Sequence, residues 1–329
     1  MLFNSGSPLV RVPPVYPGQF GIAGSDNSLG LRTQPTGVVL YVDSGHANAN
    51  DSHDGTNPDD PKATIQSAVN SAFLVEGSII YVQPGTYAET VTIAATRPDH
   101  CAIIGTALGN RVPGWSSAAA ATACLIVNVE GWLFSNLYFR GPTLASCIQL
   151  NQVGAPPLAS SYRTQIVGCY FDGAWVGLYG VGFSGSPGDV VIKDCIFKEF
   201  HVAGNTAMAI AVLATPWADP YECQFIGNLF QECDRFIGRI VGGGYMQCLF
   251  SGNIFMTGTL IATQAYIDLR GSAQGANMLV GNVFPGDYSN AGGYWDNAGV
   301  AGTWVGNFAS DLLEAEVGDN GLTIAPPAA

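Results

Sequence analysis

The five residues Ser251-Gly252-Asn253-Ile254-Phe255 are one of six versions of a single phrase. The others are IGNLF (226–230), VGNVF (280–284) and VGNF (305–308), preceded by VGCYF (167–171) and KDCIF (193–197), where Cys stands in place of Asn. The Phe falls at 171, 197, 230, 255, 284 and 308, in steps of 26, 33, 25, 29 and 24 residues. Self-similarity at this period marks a stacked architecture. The uneven steps place a loop of variable length in each unit, which argues against helical solenoids of nearly fixed repeat. The flanking runs, such as TQIVGCYF, DVVIKDCIF and YMQCLFSGNIF, are short, rich in β-branched and aromatic residues and broken by Gly or Asn. They read as strands, and no window there keeps a helical apolar period.

The phrase reads as one corner of a coil. Asn tolerates the left-handed backbone of a sharp turn. Turns stacked at about 4.8 Å let Asn side chains hydrogen-bond from coil to coil, as in cross-β ladders. The expected ladder is Cys169, Cys195, Asn228, Asn253, Asn282 and Asn307, with Cys as a small buried filler and the Phe side chains stacked inside.

These corners, with short Gly-rich strands and steps near 25 residues, resemble the right-handed parallel β-helix of pectin-lyase-like proteins. The N-terminal part strengthens the resemblance with Tyr41-Val42-Asp43, Asp54-Gly55-Thr56, Thr64-Ile65-Gln66 and Pro84-Gly85-Thr86-Tyr87. The resemblance spans about residues 37–310. It implies an all-β, single-stranded right-handed parallel β-helix with an N-terminal capping helix at about 61–73. Asp60 is the expected N-cap and Pro61 the first helical residue. Ile65, Ala68, Val69, Ala72 and Phe73 form the expected apolar face over the open first coil.

Only 11% of residues are charged, against about 25% in ordinary soluble domains. The net charge is −13 and Lys occurs only at 62, 193 and 198, which argues against a nucleic-acid partner. It also disfavours an acidic polysaccharide on bulk charge. No signal-peptide pattern and no run of membrane-spanning length occurs, so cytoplasmic synthesis without export and no membrane partner are expected. Setting Cys233 aside, the cysteines recur in steps of 22 to 28 residues, the rhythm of the coils. All eight are expected reduced and buried, and none has zinc-site spacing. Residues 1–36 and 311–329 are rich in Pro, Gly and small residues and read as arms. Val10, Val12, Val15, Tyr16 and Phe20 give the first arm apolar contact surface, making it the expected docking element.

Glycan cleavage on this fold requires two suitably spaced carboxylates. The candidates are Asp172, Asp194, Glu199, Glu222, Glu232, Asp234 and Asp268. The densest cluster, Glu232, Asp234, Arg235 and Arg239, reads first as an ion-paired surface turn. Glu232, Asp234 and Arg235 are its catalytic candidates only under an enzymatic reading. The galacturonase-like motifs NTD, GHG and RIK are missing, and the one DD pair, Asp59-Asp60, lies in the cap. The pectin-methylesterase-like motif G.Y.E is present at Gly85–Glu89, but its companions QDTL, DFIFG and GRPW are missing. Asp51, Asp54, Asn57 and Asp59 resemble a Ca²⁺ loop only loosely. His46, His53, His100 and His201 read as loop residues. Tyr294, Trp295 and Trp304 are expected to plug the last coil.

No metal and no cofactor is therefore expected. Ordered arms on a β-helix with few charges and no enzyme motif resemble a phage virion protein: a capsid-decoration or spike protein, expected as a homotrimer docked on capsid or tail proteins in the virion, without catalysis. The alternative is a tailspike depolymerase cutting a host surface glycan, or a glycan-binding adhesin.

Overall fold

The computed structural model describes residues 36–106, 114–151, 160–204, 206–213, 219–240, 244–256, 265–267, 269, 276–284 and 303–309. The expected docking residues Val10, Val12, Val15, Tyr16 and Phe20, the C-terminal arm, Asp268, Tyr294 and Trp295 lie outside them, as does the side chain of Trp304.

The chain climbs as a right-handed parallel β-helix with three strands to a full coil. Sheet I stacks ten strands, from Val39–Val42 to Thr303–Val305. Sheet III stacks nine, from Thr86–Ala88 to Phe308–Ala309, and sheet II seven, from Val91–Ile93 to Ala265–Ile267. In one coil Gln165–Val167 belongs to sheet I, Tyr170–Asp172 to sheet III and Tyr179–Ser184 to sheet II. Each pairs in parallel with its equivalent one coil on, Phe171 with Phe197 and then Phe197 with Phe230. From Leu133–Ser135 upward the corner between sheets I and III is two residues, and the variable lengths there fall at the other two corners.

The predicted Phe stack is the spine of the core, and it runs two coils further down than the phrase does. Trp115, Phe139, Phe171, Phe197, Phe230, Phe255 and Phe284 follow one another at centroid spacings of 5.2, 5.2, 4.5, 5.1, 4.9 and 5.0 Å. Burial of each such ring stabilises the fold by about 1.5–3 kcal/mol, and each stacked pair adds about 0.5–1.5 kcal/mol. All seven are essentially inaccessible to solvent.

The Asn ladder forms, with one correction to its geometry. The left-handed residue is the Gly before the Asn: Gly227, Gly252, Gly281 and Gly306 have φ between 61° and 64°. Lower coils seat Asn136, Gly168 and Asp194 there. This frees the Asn to turn inward, where it is fully buried. Asn253 Oδ1 accepts from Asn228 N and Nδ2, both at 3.0 Å. Asn253 Nδ2 donates to Phe225 O at 2.8 Å and Asn282 Oδ1 at 2.9 Å. The pattern repeats from Asn282 to Asn307.

The cysteines do more than fill this column. Cys195 Sγ approaches Ile166 O at 3.5 Å and Cys169 Sγ approaches Phe134 O at 3.6 Å, the carbonyls that Asn Nδ2 reaches higher up. All eight cysteines are buried and outside any disulfide.

The cap helix is shorter than expected, Ile65–Val69, and starts differently. Thr64, not Asp60, is the N-cap, its side chain accepting from Ser67 N. Asp51 Oδ1 accepts from Ala63 N and Thr64 N, and the Glu89 carboxylate from Ile65 N and Gln66 N at 2.8 and 3.0 Å. Two carboxylates thus take the unpaired amides at the positive end of the helix. This gives a structural role to the acidic loop and to the Glu of G.Y.E. Ile65, Ala68 and Val69 cover the core as expected, but Ala72 and Phe73 face solvent, Phe73 being 51% exposed. The helix ends before it can turn them inward.

Candidate functional site

The chemistry gathers where sheet III turns into sheet II. Here three glycines let successive backbones touch. A Cβ on Gly173 would lie 2.4 Å from Glu199 O, one on Gly177 2.8 Å from Gly173 Cα, and one on Gly141 3.1 Å from Gly177 Cα. In the tight turn between Asp172 and Gly177, Ala174 N donates to Asp172 Oδ1 at 2.8 Å and Gly177 N to Gly173 O at 2.7 Å. Ala174 and Trp175 take φ of 48° and 64°. Left-handed backbone costs a non-Gly residue about 1–2 kcal/mol, so two in a row are a local strain of the sort found at working sites.

Trp175 is held half-buried beneath His201 of the next coil, with ring centroids 6.5 Å apart and planes at 72°. His201 in turn meets Asp234 of the coil above, Nδ1 to Oδ1 at 2.6 Å. Asp234 is wholly buried, while the His201 side chain stays 35% exposed. The other carboxylate oxygen, Oδ2, accepts from Val202 N at 3.1 Å and Ala207 N at 3.3 Å. Two backbone donors mark Asp234 as an acceptor, so the imidazole supplies the proton between them. Nδ1 then carries hydrogen, and Nε2 is left as the basic nitrogen. A buried carboxylate that orients an accessible imidazole is the arrangement of a general base and its positioning partner.

The rim is polar. Arg140, Asp172 and Lys198 succeed one another on the outer face of sheet III. Tyr138 donates to Asp172 Oδ2 and stacks on Tyr170 at 5.3 Å. Burial first and Asp172 second push the Tyr138 hydroxyl well above the ordinary phenol range, and burial likewise raises Tyr170. Lys198 Nζ lies 2.6 Å from Glu199 Oε1, and this bond raises the lysine pKa.

The sequence candidates divide here. Asp234 belongs to the site, but its carboxylate is fully buried and engaged by His201 and the corner backbone, not part of an ion-paired surface turn. Glu232 occupies a left-handed corner position, φ 51°. Arg235 lies on the sheet II strand Arg235–Arg239, with Nε buried and without a hydrogen-bond partner. Asp172 and Glu199 join the rim. Asp194 and Glu222 stand at other corners in the left-handed region. Residue-type reading missed His201, although a signal was present: Trp175, His201 and Asp234 each stand four residues after a stacked Phe, at 171, 197 and 230.

Among the described residues no group of three His, Cys, Asp or Glu is placed to hold a metal ion, and no helix is long and apolar enough to cross a membrane.

No protein-family model and no curated protein matches this chain. Solved structures do. A rhamnogalacturonan lyase matches with a TM-score of 0.56 and 12% identity over 83% of this chain and 74% of its own. A lacto-N-biosidase from Eubacterium ramulus matches with a TM-score of 0.55 and 12% identity, over 83% of this chain and 55% of its own. The YbhC protein of Escherichia coli matches with a TM-score of 0.51 and 13% identity, over 91% and 90%. The fold is that of the pectin-lyase-like β-helix proteins. At these identities the likeness concerns the fold alone.

Proposed function

We propose that this chain is a polysaccharide-cleaving β-helix in which Nε2 of His201 takes up the proton that begins bond cleavage. The observation that carries the reading is the buried Asp234 carboxylate, 2.6 Å from a partly exposed His201 beside a strained Trp175. Asp234 fixes the ring and stabilises the imidazolium that forms. Trp175 offers apolar surface for a sugar, and the rim of Arg140, Asp172, Lys198 and Glu199 offers hydrogen bonds to hydroxyls. The names of two similar folds, a rhamnogalacturonan lyase and a lacto-N-biosidase, support a glycan as the substrate class.

The test is incubation with a panel of bacterial capsules, lipopolysaccharide and pectins, following both new reducing ends and unsaturated products. Wild type should release oligosaccharides from at least one member. His201→Asn should lose that release, and Asp234→Asn should retain only a small fraction of it. Absence of release from every member, or full activity in His201→Asn, would overturn the reading.

A second reading is favoured by the strands of sheets I and III from residue 224 upward, which carry no charged residue. It makes the chain a virion spike or capsid-decoration protein, homotrimeric, anchored on capsid or tail proteins through residues 1–36. Deleting residues 1–30 would then leave a folded body that no longer joins the particle. Incorporation at wild-type occupancy would refute that anchor.

A further inference from the structure

The corner between sheets III and II continues below the candidate site as an uncharged track. In successive coils it spans residues 117–124, 141–145, 173–178 and 199–207. Backbone hydrogen bonds join these corners in order: Leu144 N donates to Ala120 O at 2.9 Å, Leu178 N to Pro142 O at 3.1 Å and Trp175 N to Glu199 O at 3.1 Å. The three lower corners contain no Asp, Glu, Lys, Arg or His. Their surface is apolar instead. Leu144 and Val176 are exposed by 65 and 48%, Ala118–Ala121 are exposed, and the half-buried Trp175 closes the upper end. Scattered apolar residues on a surface are ordinary, but a continuous run leading into a strained site marks a ligand surface. Three coil steps of about 4.8 Å carry the track about 15 Å below His201.

Charge decides what can lie there. An acidic glycan needs cations that no acid opposes. Arg140, Lys198 and Arg235 stand at strand ends beside the corner, but Asp172, Glu199 and Asp234 stand with them. Lys198 Nζ is already 2.6 Å from Glu199 Oε1, and Asp172 lies in register between Arg140 and Lys198. At the foot of the track the polar groups are neutral hydroxyls. Thr122 Oγ1 lies 2.7 Å from Ser117 Oγ and 3.0 Å from Thr90 Oγ1, and such hydroxyls can exchange hydrogen bonds with those of a sugar.

We propose that the track selects a neutral glycan whose sugars carry methyl groups, as acetyl substituents or 6-deoxy carbons, seated against Leu144 and Val176. This substrate class rests on the glycan reading above. Each methyl buried there strengthens binding about fourfold.

Affinity electrophoresis of the full chain in the cold tests this, with four probes: an O-acetylated mannan, the same mannan after mild alkaline deacetylation, a rhamnan and polygalacturonate. The acetylated mannan or the rhamnan should retain wild type on the order of tenfold more strongly than the deacetylated mannan, and polygalacturonate should not retain it. Retention by the acetylated mannan alone assigns the methyl to an acetyl group, and by the rhamnan alone to a 6-deoxy carbon. Leu144→Ser/Val176→Ser should lower the stronger affinity about tenfold, with melting and binding of deacetylated mannan unchanged. Preference for polygalacturonate, equal retention by all the neutral probes, no retention by any probe, or an unchanged double variant overturns the proposal. The reading of His201 falls separately, only if no oligosaccharide is released across the capsule, lipopolysaccharide and pectin panel or if His201→Asn keeps full activity.

Discussion

Replacing Asn253 by Leu tests the ladder at its centre. The substitution keeps the branched four-atom skeleton but removes four hydrogen bonds, two accepted by Oδ1 and two donated by Nδ2. Their partners fare unequally. Asn228 Nδ2 keeps Ile192 O, and Asn282 Oδ1 keeps the backbone N–H of residue 253. Asn228 N loses its side-chain acceptor in a fully buried position, and Phe225 O loses its amide donor. One buried orphan donor costs about 1–3 kcal/mol, and the weakened acceptors add to it, so the expected loss is about 3 kcal/mol. Asn253→Cys should cost less, about 1.5 kcal/mol, since its thiol can approach Phe225 O as Cys195 approaches Ile166 O. Urea unfolding followed by fluorescence reads both values, and hydrogen exchange at the amide of Asn228 reads the orphan directly. A Leu variant within about 0.5 kcal/mol of wild type, with that amide still protected, would refute the ladder as a source of stability.

Three further outcomes are expected. Burial raises the Glu89 carboxyl above the ordinary glutamate range, so the folded state holds that proton more tightly than the unfolded one. The stability contributed by this group is full below the unfolded pKa and is lost as pH rises through the folded one. The stability of wild type minus that of Glu89→Gln should therefore fall with rising pH across that window, and a flat or rising difference in pH-dependent melting contradicts it. Gly173→Ala drives a methyl against Glu199 O and Phe200 Cα at 2.4 and 2.7 Å, and should cost about 3 kcal/mol in urea unfolding; a neutral result would mean the corner relaxes freely. Trp175→Asn removes the ring but keeps a residue that accepts left-handed backbone, so stability should stay within about 1 kcal/mol while glycan retention in affinity electrophoresis is lost; unchanged retention would remove Trp175 from the site.

Most of the scaffold was legible because each coil repeats one local problem. A two-residue corner needs a left-handed seat and a small inward residue, and Gly-Asn states both at the four upper coils. The misassignment of that seat to Asn arose because both residues tolerate the conformation, and only burial of the Asn side chain tells them apart. The cap helix was overextended because Ala72 and Phe73 keep the helical period, while the chain leaves the helix at Asn70. The site was harder to see. Trp175, His201 and Asp234 lie 26 and 33 residues apart in sequence and meet only through coil stacking. Read by residue type, Asp234 belonged with its neighbours Glu232 and Arg235. Counting from the stacked Phe places it over His201 instead.

The account turns on which nitrogen of His201 is free, and nitrogen NMR of the isotopically labelled imidazole answers that directly. The account predicts hydrogen on Nδ1 and an unprotonated Nε2 for the neutral ring, with that preference lost in Asp234→Asn. A neutral ring carrying its hydrogen on Nε2, or a tautomer unchanged in Asp234→Asn, would contradict it.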